Sequence, residues 1–197
     1  MPITTASSSL RWRNPERHCR AVLLAVALLL FAGAARAQSI VVESAALVPH
    51  EAGFALNAEF EVYLTPALKD ALNRGVTLPF VVDFEVVRPR RFWFGEGVVA
   101  SEHPVTLTYT PLTRQFRISD EASFHHADTL DDALRQLGRV RDAVVATRGD
   151  LHKGVEYEAA TRMRLDPNRL PAAAQASALT TRDWVIKSDW YRWKVVP

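Results

Sequence analysis

The chain has 197 residues, 24 basic and 22 acidic side chains, 48% hydrophobic residues, one cysteine and a formal charge of +2. That basic balance belongs to the N-terminus: without residues 1–37, which hold five arginines, one glutamate and Cys19, the remaining 160 residues carry 19 basic and 21 acidic side chains. A cysteine-free domain at −2 excludes thiol chemistry and cysteine-ligated metal, and it lacks the positive excess expected of a nucleic-acid binder.

The first segment reads as an export signal. Arg11, Arg13, Arg17 and Arg20 precede an apolar run from Ala21 to Ala35, and Ala35-Arg36-Ala37 offers small residues at alternate positions, which places the cut between Ala37 and Gln38. The run is shorter than the roughly 20 residues a membrane-spanning helix needs. Cys19 precedes the run, so a lipid anchor has no attachment point, and no adjacent arginine pair marks the twin-arginine route. The expected organisation is a cleaved signal over 1–37 and a single β-rich domain over 38–197, periplasmic or secreted, touching the membrane only during export.

Beyond Gln38 the dominant pattern has period two, the signature of strands with one buried and one wet face. Ile40–Val48 is a first, weaker strand. Phe54–Leu64 alternates strongly, with Phe54, Leu56, Ala58, Phe60, Val62 and Leu64 on one face. Pro66–Gly75 predicts a short helix: Thr65 as cap, Pro66 at its first position, Leu68 and Leu72 facing inward, and Gly75 at the left-handed end. Leu78–Arg88 returns to alternation as a central strand. Arg88–Gly97, with Pro89 and two glycines, predicts a bend. Val105–Tyr109 and Phe116–Ile118 bracket a hairpin. Asp128 or Thr129 opens a second helix, with Asp132 as the acidic partner of a capping box and Leu130, Ala133, Leu134 and Leu137 as its inner stripe. Arg139–Thr147 fits either strand or helix. Val155–Leu165 is the clearest alternating strand, followed by a turn at Asp166–Pro171, an alanine-rich helix to about Leu179, and a closing strand or pair over Thr181–Val195. About seven strands and two or three short helices predict a mainly β protein: an antiparallel β-sandwich with helical insertions, or alternatively a curved antiparallel sheet with helices on one face.

Candidate chemistry is sparse. His125, His126 and Asp128 are the most ligand-like set, because imidazole and carboxylate suit zinc or copper. Adjacent strand residues point to opposite faces, so a metal would need a bent loop and help from His103 or His152; a polar loop leading into the helix cap explains the same residues. Ser123 lies near His125 but outside any nucleophile-elbow context, and Glu156 and Glu158 fit a solvated sheet face. No cofactor is expected and no catalytic residue is assigned. Arg88, Arg90, Arg91 and Trp93, with Phe92 and Phe94, mix cations and large aromatics, which suits an acidic partner, a head group or a glycan; wet arginines over core aromatics is the plainer account. Trp184, Trp190, Tyr191 and Trp193 pose the same choice. If the segment is extended, Trp184 and Trp190 share one face and Tyr191 and Trp193 the other, which favours closure of a sandwich over a sugar platform.

Taken in order, Leu130-Asp-Asp-Ala-Leu-Arg-Gln-Leu-Gly138, Tyr157 with Arg164-Leu-Asp166 and Leu170-Pro171, and Trp184-Val-Ile-Lys-Ser-Asp-Trp190 give a pattern that resembles a proteobacterial exported family of the "domain of unknown function" type, DUF4390-like, across Ser39–Trp193. The resemblance implies an envelope role in a Gram-negative bacterium, with genes often near a membrane sensor kinase, and it implies no catalytic residue. The expected function is a non-enzymatic module that binds an envelope protein. The alternatives are a cell-wall hydrolase or metal-dependent enzyme using His125, His126 and Asp128, and a glycan-binding module using the tryptophans.

Overall fold

Alternation in the sequence becomes antiparallel pairing in space. The structure, a computed structural model, describes residues 39–90, 95–120 and 123–197. The expected export segment with Ala35, Ala37 and Gln38, and Arg91, Phe92, Trp93 and Phe94 of the expected bend, lie outside the described residues.

Among the described residues the elements run β1 (Ile40–His50), β2 (Gly53–Val62), α1 (Pro66–Asn73), β3 (Leu78–Arg88), β4 (Glu96–Thr110), β5 (Gln115–Ser119), β6 (Phe124–Ala127), α2 (Leu130–Leu137), β7 (Arg139–Thr147), β8 (Tyr157–Leu165), α3 (Ala172–Thr180) and β9 (Tyr191–Val195). One sheet has the order β1-β2-β7 and the other β6-β5-β4-β3-β8-β9, every neighbouring pair antiparallel. β1 lies against β8 and β9, and β7 lies against β4, so the smaller sheet covers the larger one from β4 to β9. This is the sandwich arrangement of the expected fold.

The core lies between the sheets. Leu78, Phe80, Val82, Phe84 and Val86 of β3 and Tyr157, Ala159, Met163 and Leu165 of β8 meet Leu56, Ala58, Phe60 and Val62 of β2. Burying each large apolar side chain stabilises the fold by roughly 1.5–3 kcal/mol before chain entropy is charged against it. β3 sits between β4 and β8 as the central strand, and from Leu78 to Phe84 it is buried on both faces.

Local signals place the helices. Thr65 accepts the Leu68 N–H, Pro66 starts α1, and Gly75 takes a left-handed φ of 84°, with Leu68 and Leu72 buried. α1 and the 3-10 turn Arg182–Trp184 pack together, tied by a hydrogen bond from Thr65 Oγ1 to the Asp183 carbonyl at 2.8 Å. At α2, Thr129 accepts the Asp132 N–H at 3.2 Å, the first half of the expected capping box, while its hydroxyl donates to the Asp132 carboxylate at 2.7 Å. α2 packs on β2, β5 and β6, covering part of the larger sheet that the smaller one leaves bare. No helix among the described residues is long and apolar enough to cross a membrane.

Four expectations change. Nine strands rather than about seven are present among the described residues. Phe124–Ala127, read as a loop, is β6, because its backbone groups complete the edge of β5. Arg139–Thr147 resolves as a strand; Asp142 at φ 50° donates its N–H to Asn57 Oδ1 at 2.8 Å, where the pairing with β2 slips. Thr181–Val195 is a 3-10 turn, a single bridge from Lys187 to Arg164, and one strand, β9. Trp184 therefore does not share an extended face with Trp190; it is buried in the core from the turn.

Candidate functional site

Arg88 and Arg90, the described arginines of the β3–β4 connection, are held by intramolecular partners. Arg88 ends β3 half-buried, its Nη2 donating to the Tyr157 hydroxyl at 3.1 Å and its guanidinium lying 5.5 Å from that ring centre. Arg90 pairs with Glu96 at 2.7 Å on the surface, which holds the Glu96 carboxyl below its usual range. Arg91 and Trp93 lie outside the described residues.

The histidines gather more closely than their spacing suggests. β6 pairs His125 with Ile118 and His126 with Arg117, so the two imidazoles leave opposite faces of the sheet. His126 meets the Phe124 ring edge-on at 5.6 Å, and Arg117 covers that ring at 4.5 Å. His103, His125 and His126 line a crevice of about 510 Å³ between the larger sheet and the α2–β7 junction. Asp128 is not among its lining residues, and the backbone N–H of His152 donates to the Tyr157 hydroxyl instead. Among the described residues no group of three histidine, cysteine, aspartate or glutamate side chains is placed to hold a metal ion. Ser123, the nearest hydroxyl to His125 in sequence, donates to Asp120, as does its backbone N–H at 2.6 Å.

The outer face of the larger sheet carries an arrangement that sequence reasoning missed. Asp83, only 7% exposed, accepts from Arg162 Nε at 2.7 Å and from Arg164 Nε and Nη2 at 2.9 and 3.2 Å. Arg164 also donates to Glu102 at 2.9 Å, and Arg169 pairs with Asp166 at 3.3 Å. Hydrogen bonding to Asp83 raises the Arg164 guanidinium above its ordinary value against the opposing effect of burial, so it stays a cation. Arg162 is further fixed by the Trp190 ring, 4.4 Å from its guanidinium. A groove of about 250 Å³ opens along this network between β3, β4 and β8. The available signal was a lone aspartate in an apolar run opposite alternating arginines, but joining them needs the β3–β8 register.

The remaining tryptophan belongs to the core side. Trp193 is half-buried 6.2 Å from Phe84 and 5.8 Å from Tyr191, so this pair shares the inner face of β9 as its alternation predicts.

No curated protein and no solved structure matches the chain. A family model does match, over residues 37–194, which is most of the chain, and its description is "Domain of unknown function (DUF4390)". The chain belongs to that family.

Proposed function

We propose that this chain is an exported, non-enzymatic binding domain of the cell envelope that docks a protein partner. The sensor domain of a membrane kinase is the first partner to test, given the gene neighbourhood implied by the family resemblance. The observation that carries the reading is the fixation of Arg162 between Asp83 and Trp190 on the outer face of the larger sheet, where Glu85, Glu102, Arg192 and Lys194 are exposed. Arginine and tryptophan dominate the energetic centres of protein interfaces, and a pre-positioned guanidinium loses little side-chain freedom on docking.

Pull-down from envelope extract tests this surface. A partner captured by the wild type should be lost with a folded Trp190→Ala, Arg192→Glu variant. Arg90→Ala, Arg91→Ala, Trp93→Ala in the same assay tests the β3–β4 connection as a second contact. Identical partner lists for all three proteins would sink both surfaces. Export is tested separately: the periplasmic form should begin at Gln38, and an N-terminus still at Met1 would overturn that part of the reading.

A further inference from the structure

The two sheets differ in width, and the difference leaves room for a ligand. β5 and β6 extend beyond the strands that the smaller sheet covers, and α2, eight residues long, closes only part of the gap. The uncovered part is the crevice of about 510 Å³, within the range of small-molecule sites. Its floor is apolar, made by buried Val105, Ile118, Leu137 and Val140.

The rim is cationic and imidazole-bearing. His103 and His125 stand on the inner side of β4 and β6, His125 directly across from Ile118, while Arg139 and Arg141 enter from the start of β7. Asp120 is the one carboxylate among the described lining residues. Arg141 is committed elsewhere, bonded to Glu59 and to the carbonyls of Ala58 and Val140. Arg139 is exposed and makes no ion pair among the described residues. An apolar floor beneath two imidazoles and the Arg139 guanidinium, whose cross-strand neighbour Glu59 is already paired with Arg141, is complementary to an anion carried on a short apolar body.

We infer that the crevice between β4–β6 and the α2–β7 junction binds a small amphipathic carboxylate, its apolar body on Val105, Ile118 and Leu137 and its carboxylate at Arg139 and His125. This site is separate from the proposed docking face, which lies on the other side of the larger sheet. It stands or falls independently of that reading.

The experiment is an amide-resolved NMR titration of the full chain with 4-phenylbutyrate, against 4-phenylbutanol as a neutral body of matching length. The acid should give saturable shifts concentrated at His103, Val105, Ile118, His125, Leu137 and Val140, and the alcohol should bind at least about tenfold more weakly, the worth of one charge-assisted hydrogen bond. Arg139→Gln, an exposed change, should weaken the acid by a similar factor and leave the alcohol unaffected. Absence of saturable shifts, shifts centred elsewhere, equal binding of acid and alcohol, or an acid affinity indifferent to Arg139→Gln would each overturn the inference. The acid–alcohol comparison on the wild type decides the matter even if the variant folds poorly.

Discussion

Asp83 and Arg164 lie diagonally on neighbouring strands and make a two-pronged contact, Arg164 Nε donating to Oδ2 at 2.9 Å and Nη2 to Oδ1 at 3.2 Å. The same Oδ2 accepts from Arg162 at 2.7 Å, so one carboxylate holds two guanidinium groups together. Asp83→Ala leaves those cations adjacent, Arg164 keeping Glu102 and Arg162 losing its carboxylate, on a face where both are about a quarter exposed. The expected loss is about 2–4 kcal/mol, below the full cost of breaking a wholly buried pair because solvent reaches the arginines. Arg192→Ala, which removes an exposed pair with Glu158, should change stability by less than about 0.5 kcal/mol. Urea unfolding of the two variants checks the contrast; comparable losses would mean that the network is no more than a set of surface pairs.

Two glycines should resist alanine for different reasons. A Cβ on Gly138 would stand 1.9 Å from the Phe60 carbonyl oxygen, at the point where Phe60 donates its N–H to the Gly138 carbonyl at 2.8 Å. Gly138→Ala should therefore push α2 and β7 away from β2 and cost about 1–3 kcal/mol, as overpacking does. A methyl group on Gly75 would make only ordinary contacts, 3.8 Å from the Tyr109 carbonyl oxygen, but φ is 84°, so Gly75→Ala should cost about 1–2 kcal/mol through backbone strain alone. Gly75→Asn separates the two causes. Asparagine tolerates the left-handed region and should recover part of the loss, whereas Gly138→Asn should be worse than Gly138→Ala.

The α2 cap gives the protein an acid-sensitive element. The Thr129 hydroxyl, and then the nearby Arg135, lower the Asp132 carboxyl below its ordinary value. Because the folded-state value is depressed, this carboxylate's contribution is present above the unfolded value of about 3.9 and is lost as pH falls through the lower folded value. Asp132→Asn keeps an acceptor for Thr129 but cannot titrate. The melting temperatures of variant and wild type should converge as pH drops below about 4 and separate above it. A constant gap across that window would assign the role of Asp132 to geometry rather than charge.

Elements whose cause is local are legible in the sequence itself. Thr65-Pro66 with Gly75, Thr129 with Asp132, and the alternation from Tyr157 to Leu165 each carry their own cap, breaker or period, and each forms as expected. What is illegible depends on a neighbour. Phe124–Ala127 has no run long enough to announce a strand and becomes one only because β5 offers it an edge. The same dependence hides the Asp83 network: Arg162 and Arg164 read as a wet strand face until the register sets Asp83 opposite Arg162. The crevice is one step further removed, since His103 and His125 lie on strands separated by β5 and meet only through the width of the larger sheet.

Arg88 is a candidate partner-binding residue by its aromatic neighbours, and its contacts assign it a second role. Tyr157, fully buried, accepts both from Arg88 Nη2 at 3.1 Å and from the His152 backbone N–H at 3.0 Å. The tyrosine hydroxyl thereby links the end of β3 to the segment that leads into β8. Tyr157→Phe removes one acceptor from two donors and should cost about 1–3 kcal/mol, with most of it felt locally. Hydrogen exchange at the His152 amide should quicken strongly while amides in the middle of β3 follow only the global change. Arg88→Met tests the other arm, because it removes the guanidinium above the Tyr157 ring, keeps an unbranched side chain and leaves the His152 bond intact, so that amide should remain protected. If Arg88→Met also abolishes partner capture while the protein stays folded, Arg88 contacts the partner directly. If capture persists, the residue anchors the β3–β4 connection from within and the docking surface lies on the exposed groups beyond it.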